Sequence, residues 1–416
     1  MKKTLLLFFV ISHLYVCAQF CAFDHIVNSK KSNDTFISNY ESIYNIANNQ
    51  ISNNTETYYI PVVFHIVYNS ESQNIADSVI HSQIEVLNED FRRLNENAVN
   101  TREEFLEFAG DPNIEFFLAD IDPNGNPTDG IIHQYTERSE FVMFENILSN
   151  EITLDEVKFS NTGGSDAWDT NEYLNIWVCN IGSLELLPGF DLGQVFGYAY
   201  PPTNIDEALA NISGLVPDWP TDMLSDDENV QGVVLHYTTI GRNNPVANDD
   251  DMIENNQGRT AVHEIGHYLG LRHIWGDALS LIGEDGCELD DGISDTPNAN
   301  DQAGYICDFN KNTCTGDNFG SSGEDLPDMI ENYMDYSPDN CLNMFTNGQI
   351  NVMRNVLEIS RNNLINNESS LCINDPQLNG QKKIKTIDLL GREHNRSHFK
   401  IDLYSDGSFR KYITHK

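Results

Sequence analysis

Residues 263–273 read His-Glu-Ile-Gly-His-Tyr-Leu-Gly-Leu-Arg-His, side chains whose types and spacing could hold a metal ion and activate a water. On a helix, His263 and His267 stand one turn apart on one face, so both imidazoles can reach a single zinc ion. Glu264, one position round from the first ligand, can reach a zinc-bound water without binding the metal, which is the place of a general base. Gly270 can take the left-handed conformation that ends a helix, turning the chain so that His273 returns as a third ligand. Three protein ligands leave a fourth position open for water, the mark of a catalytic rather than a structural zinc. A bare His-Glu-x-x-His also occurs as ordinary helix surface; Gly270 and His273 fix two further positions at the offsets this geometry needs.

These side chains need a helix with a buried side and a sheet behind it. Thr260, Ala261, Val262 and Ile265 give the helix an apolar side. Residues 59–68 alternate around Val63, His65 and Val67 and read as a strand. Ile80, Ile84, Leu87, Phe91 and Leu94 recur at helical spacing and predict one long backing helix. Residues 114–118, 174–178 and 233–237 read as further strands, the last just before the active-site helix. Residues 184–229 carry several Pro and Gly and read as surface loops bordering the cleft. Residues 120–125 look like half of an EF-hand loop, but Ile131 stands where the bidentate Glu belongs, so they read as a turn. His65, His81, His133 and His236 have no ligand spacing and read as core or surface. Strands interleaved with helices, then a region poor in regular pattern, predict an α/β (α+β) protein with an upper sheet-and-helix part and a lower irregular part around a cleft.

Further along, Asn332-Tyr333-Met334-Asp335-Tyr336 is similar to the tight methionine turn that lies beneath the metal in metzincin metallopeptidases, whose histidine motif residues 263–273 also resemble. Within the metzincins the chain most resembles the pappalysin family, in particular its ulilysin-like prokaryotic members, over about residues 58–360. The closer resemblance rests on His273-Ile274-Trp275-Gly276-Asp277, on Asp290-Asp291-Gly292-Ile293-Ser294-Asp295-Thr296-Pro297 and on Asp339-Asn340-Cys341-Leu342-Asn343-Met344-Phe345-Thr346. It implies the zincin/metzincin fold: a twisted mixed β-sheet with backing and active-site helices above, a disulfide-linked irregular subdomain below. It also implies that Tyr336 lies beside the metal and hydrogen-bonds the tetrahedral intermediate, and that Met334 is an apolar floor rather than a ligand.

Cys287, Cys307, Cys314 and Cys341 fall in the irregular region, where cross-links would restrict the unfolded chain. Spacing permits three pairings, and a four-cysteine zinc site lacks its usual close Cys-x-x-Cys pairs. The resemblance implies Cys287 with Cys314 and Cys307 with Cys341. Between them Asp290, Asp291, Asp295 and Thr296 offer hard oxygen ligands on a Gly-containing loop, the chemistry of calcium, or simply an acidic surface loop. Similar pappalysins hold calcium in the matching loop, which implies Asp291 and Thr296, with carbonyls such as that of Ser294, as its ligands here.

Lys2 and Lys3, an apolar run over residues 5–16 and Val16-Cys17-Ala18 make residues 1–18 a secretory signal peptide. No later stretch approaches the length of a membrane span. Of 24 basic residues, Lys2 and Lys3 leave with the signal; 22 remain against 64 acidic, a formal charge of −42 that excludes nucleic acid as a natural partner. Residues 19–57, polar and rich in Asn and Ser, read as a pro-segment ahead of a catalytic domain at 58–372. Metzincin zymogens commonly block the open zinc position with a pro-segment residue. Cys21 fits that latency switch as a thiolate, with Asp24 as the alternative and a plain disulfide partner or leader residue as the third reading. After a polar linker at 373–381, residues 382–416 turn basic, with β-rich segments and Asp-Gly turn chemistry. They are similar to the C-terminal sorting segments of type IX secretion cargo, and a small accessory β-module is the competing reading.

Together these features predict a secreted zinc endopeptidase, exported through the periplasm, that cuts protein or peptide substrates with a zinc-bound water activated by Glu264; the secretion machinery is engaged through the tail. A zinc-binding adhesin with little turnover has no need of Glu264 beside an open position. Zinc hydrolysis of a non-peptide ester or amide uses the same ligands, and only the wider resemblance disfavours it. Oligomeric state and cleavage preference are silent in the sequence; the resemblance implies a preference for Arg after the cut, with which the acidic surface is compatible.

Overall fold

The computed structural model describes residues 20–23, 27, 34–49, 52, 55–142, 153–187, 190–202, 228–247, 255–276, 286–304, 306–316, 325–366, 383–387, 399–404 and 409–413. The signal peptide, Asp24 and the 373–381 linker lie outside them. The chain forms two compact units, Met1–Asn366 and Asn367–Lys416. Among the described residues no helix is long and apolar enough to cross a membrane.

The first unit is built on an eight-stranded sheet. In chain order its strands are β1 (Phe20–Cys21), β2 (Tyr58–Tyr68), β3 (Ile114–Leu118), β4 (Ile131–Tyr135), β5 (Leu174–Cys179), β6 (Ser183–Leu187), β7 (Phe190–Ala199) and β8 (Val233–His236). The spatial order is β1-β7-β8-β5-β2-β3, with β4 beside β2 and β6 beside β7. β2 pairs in parallel with β3, β4 and β5, and β5 with β8, so β2 is buried on both faces despite its alternating pattern. β7 runs antiparallel to β8 and carries β1 in parallel on its other side.

Four helices matter to the site: α1 (Asp34–Asn49), α2 (Asp77–Asp90), α3 (Arg259–Tyr268) and α4 (Asn347–Ile359). Ile60, Val62, Phe64, Ile176 and Leu235 of the sheet share one apolar core with Ile80 and Leu87 of α2, Ile265 of α3 and Met353 of α4. Thr346 and Gln349 form a reciprocal capping box that starts α4. The helical spacing of the backing helix overshoots: α2 ends at Asp90 with Phe91 as its C-cap, Arg93 takes φ 45°, and Leu94 is 70% exposed. The left-handed residue turns the chain before the apolar series is complete.

The larger correction falls in the first part of 184–229, expected as loop; 188–189 and 203–227 lie outside the described residues. That first part forms the β6–β7 hairpin, and β7 is buried from Val195 to Ala199. Gly193 and Gly197 suggest a loop, yet Gly197 is demanded by packing: a Cβ there would come within 2.9 Å of the Glu264 side chain. The second unit is an antiparallel sheet of β9 (Lys383–Ile387), β10 (Phe399–Tyr404) and β11 (Phe409–Ile413), in the order β11-β10-β9.

His65 illustrates how the core handles a polar group. It is fully buried on β2, bonded to Ser165 (2.8 Å) and Asn175 (3.0 Å), and burial holds its pKa down to about 4. A depressed base favours the neutral fold above pH 6.5, and that stability is lost as pH falls from 6.5 towards 4 because only the unfolded chain takes up the proton. Burial pushes Asp335 and Asp339 up to about 6, which acts in the opposite direction over the same window, so a variant comparison is required. The stability gap between wild type and His65→Gln is expected to narrow by about 2 kcal/mol between pH 7.5 and 5. Urea unfolding at both pH values measures it; an unchanged gap would mean His65 protonates inside the fold.

Candidate active site

α3 places His263 and His267 on one buried face, and Gly270 (φ 95°) ends the helix by letting Leu271 N–H reach back to Gly266 O (2.9 Å). The reversal returns His273 to the same point. His267 Nε2 lies 3.0 Å from His263 Nε2 and 3.1 Å from His273 Nε2. The outer nitrogens explain the inward ones: His263 Nδ1 faces Tyr333 O at 2.7 Å and His267 Nδ1 faces Leu271 O at 2.9 Å. A carbonyl can only accept, so each Nδ1 carries the proton and each Nε2 turns a lone pair inward. Lone pairs converging at this range repel unless a cation sits among them, and imidazole donors in a buried cluster suit zinc. Burial, then the neighbouring His273 and His263, holds His267 well below its ordinary pKa, so it stays neutral as a ligand must.

Rings wall the cluster. Trp275 stacks on His273 at 4.3 Å, and Tyr336 stands 4.9 Å from His273 and 5.5 Å from His263. Met334 packs so tightly beneath α3 that a Cβ at Gly266 would meet its sulfur at 2.4 Å. Glu264 is buried beside the cluster and, with His263, Phe196, Thr260 and Leu342, lines a cavity.

Residues 20–23 occupy the cleft. Cys21 joins the three histidines in one potential metal-binding group, with all four ligand atoms within 4.8 Å of one another. Its thiol donates to Glu264 Oε2 (3.4 Å), and Tyr336 Oη exchanges bonds with its backbone N–H and C=O, both at 3.1 Å. Ala22 N–H donates to Gly197 O (2.9 Å) and Phe23 stacks on His267 at 3.9 Å. The cleft is therefore filled by the chain's own N-terminal stretch.

Below, disulfides join Cys287 to Cys314 and Cys307 to Cys341. Cys179 is a buried free thiol pushed far up by burial, and Cys372 lies outside the described residues. In the 290–296 loop, Thr296 donates to the Asp291 carboxylate (2.8 Å), which also accepts Ile293 N–H. Asp290 caps Gly292 N–H and Asp295 accepts Gly348 N–H. Burial raises the Asp291 carboxyl well above its ordinary value. His65, His133 and His236 all sit away from the histidine cluster, bonded elsewhere. A buried ion pair that no spacing rule reveals is Asp90 with Arg259, joined by Tyr333.

A family model described as Peptidase_M43, pregnancy-associated plasma protein-A, matches residues 203–358. An extracellular metalloprotease of Arthroderma benhamiae is 40% identical over 96 residues, 23% of this chain and 30% of that protein. One of Neurospora crassa is 33% identical over 159 residues, 38% of this chain and 42% of that protein. The matches thus span less than half the length of these fungal relatives. Among solved structures, mature mirolysin of Tannerella forsythia in complex with a cleaved peptide is 38% identical, with a TM-score of 0.59 over 76% of this chain and 99% of that one. A mutant of its precursor, promirolysin, is 35% identical, with a TM-score of 0.63 over 84% of this chain and 98% of that one.

Proposed function

The chain belongs to the pappalysin family (Peptidase_M43) of zinc-dependent metalloendopeptidases, and on that premise we propose that it hydrolyses peptide bonds at a zinc held by His263, His267 and His273. The observation that carries the assignment is the convergence of three Nε2 atoms, with the Nδ1 protons of His263 and His267 engaged outside the cluster. When bound, zinc supplies Lewis acidity to the scissile carbonyl and to the attacking water. Glu264 takes the proton of that water and hands it to the leaving amine. Tyr336 turns its phenol from the Cys21 backbone to the developing oxyanion. Met334, packed against Gly266, keeps the ligand helix at a fixed height. Product mass spectrometry of the processed, zinc-loaded protein on a mixed peptide library tests this: discrete cuts are expected, and their complete absence would favour a zinc-binding adhesin or a non-peptide substrate.

Residues 19–57 are assigned as a pro-segment and Cys21 as its latency switch, supported by the thiol's place beside the histidines and by the likeness to promirolysin. In the intact chain, Cys21→Ala is expected to raise hydrolysis of a short peptide at least roughly tenfold over wild type, since one charge-assisted contact of this kind is worth about 1.5–3 kcal/mol. Phe23 and the Ala22–Gly197 bond keep the release partial. Initial rates before any processing decide; equal rates would dismiss the switch.

We assign calcium to the 290–296 loop through Asp291, Thr296 and the carbonyl of Ser294, because a buried carboxyl raised by burial and by Asp290 gains most from a hard cation. Thermal unfolding with and without calcium, in wild type and Asp291→Asn, tests it. The metalloprotease relatives named extracellular support secretion. Removal of residues 1–18, export through the periplasm and recognition of 382–416 by a type IX machinery complete the assignment, and deletion of 382–416 is expected to leave the protein in the periplasm.

A further inference from the structure

Arg272 stands one residue before His273, with its side chain 19% exposed. Among the described residues, each polar and aromatic partner of its guanidinium comes from α1. Nε donates to Tyr40 Oη (3.1 Å), Nη2 donates to Glu41 (2.8 Å), and the guanidinium lies 4.2 Å above the Tyr44 ring and 5.2 Å from that of Tyr40. Among the described residues, none of the sheet, of α3 or of the irregular region shares that list. A guanidinium keeps its charge at any working pH and is matched best by a carboxylate and aromatic faces. α1 provides both.

The arrangement is continuous with the cleft. Tyr40 meets Phe23 edge-on at 6.3 Å, and Phe23 in turn covers His267 and stands edge-on to His273 at 6.1 Å. A path therefore runs from the histidine cluster through the Phe23 slot to Arg272, walled by Tyr40. Elsewhere Ile43, Tyr44 and Ala47 of α1 pack into the main apolar core, and its other polar contacts among the described residues include Tyr44 Oη on Asp291 O, Asn48 on Gly292 O (2.7 Å), and Asn351 and Asn355 donating to Ala47 O. When α1 leaves, the Phe23 slot opens and Arg272 loses its carboxylate at the end of that slot.

We propose that Arg272 is a specificity residue for substrate, covered in the precursor by Glu41 and Tyr40, and that the processed enzyme uses it to bind an acidic side chain on the Phe23 side of the scissile bond. The substrate class is a peptide with an apolar residue over the metal ligands and a Glu or Asp a few positions beyond it. This rests on the endopeptidase reading and on removal of residues 19–57. Arg and carboxylate pair in a fork geometry that a neutral amide cannot reproduce, so Glu is favoured over Gln at that one position by about tenfold.

The test scans Glu, Gln and Lys singly through every position on both sides of the cut in an otherwise fixed quenched peptide, reading kcat/KM with processed wild type, Arg272→Gln, Arg272→Lys and Arg272→Glu. Wild type is expected to prefer Glu about tenfold at one position on one side. Arg272→Gln brings that ratio to about one, Arg272→Lys retains part of it, and Arg272→Glu inverts it in favour of Lys in the same place. A purely structural Arg272 would lower all rates together without moving the ratio, and that result overturns the proposal, as does a wild-type ratio of one at every position. If Arg272→Gln fails to fold, the Lys and Glu variants carry the same comparison. Wild type that cuts none of the peptides removes the endopeptidase reading itself, and the proposal with it.

Discussion

Glu264→Ala is expected to lower peptide hydrolysis roughly a thousandfold while the zinc content of the purified protein stays at that of wild type. The two readouts separate because Glu264 shares α3 with the ligands without contributing to the trio of Nε2 atoms. Its carboxylate is buried, held between Gly197 of β7 and the cleft, where the Cys21 thiol now meets it. Removing a carboxylate from that place leaves the attacking water without a proton acceptor and the leaving amine without a donor. Alanine truncates without crowding, so α3 has no cause to move. Metal analysis beside kcat at saturating peptide is the measurement. Loss of zinc in the variant would mean Glu264 helps to hold the metal, and retained turnover would end its role as base.

What the sequence disclosed about this site follows from how local the geometry is. His263, Glu264, His267, Gly270 and His273 are fixed by one helix and its left-handed stop, so spacing alone specified their neighbourhood. β3, β5 and β8 read correctly for the same reason, each being a short apolar run. The failures are tertiary. β7 looked like loop because Gly193 and Gly197 break its apolar pattern, and the need for Gly197 appears only once Glu264 is seen against it. Leu94 satisfied a helical period that the chain abandons at Arg93. Spacing gives Arg272 no role, because its surroundings come from α1, more than two hundred residues earlier. A buried glycine in an apolar stretch that precedes a metal-binding helix is the one signal that could have pointed to β7.

The ion pair beneath the site was the least legible feature, and it carries the largest expected effect on stability. Asp90, at the end of α2, accepts Arg259 Nε (3.1 Å) and Nη2 (3.2 Å) and the Tyr333 hydroxyl (2.7 Å). Arg259 opens α3, and its guanidinium also donates to Asn97 (2.7 Å) and to the carbonyl of Asp339; Tyr333 neighbours Met334. One carboxylate thus locks together the backing helix, the ligand helix and the methionine turn. Burial raises the Asp90 carboxyl, Arg259 and Tyr333 pull it back, and Arg259 remains charged. Asp90→Ala strands that cation in a buried place and is expected to cost about 3–5 kcal/mol, read by urea unfolding of the zinc-loaded protein. Asp90→Asn keeps an acceptor for Tyr333 and one arm of Arg259, so it should cost less. Because α3 loses its anchor at the end nearest His263, Asp90→Ala should also weaken zinc retention, whereas Glu264→Ala should not. A loss below about 1 kcal/mol in Asp90→Ala would show that Asn97 and the Asp339 carbonyl suffice for Arg259 and that the three elements are held by apolar packing alone.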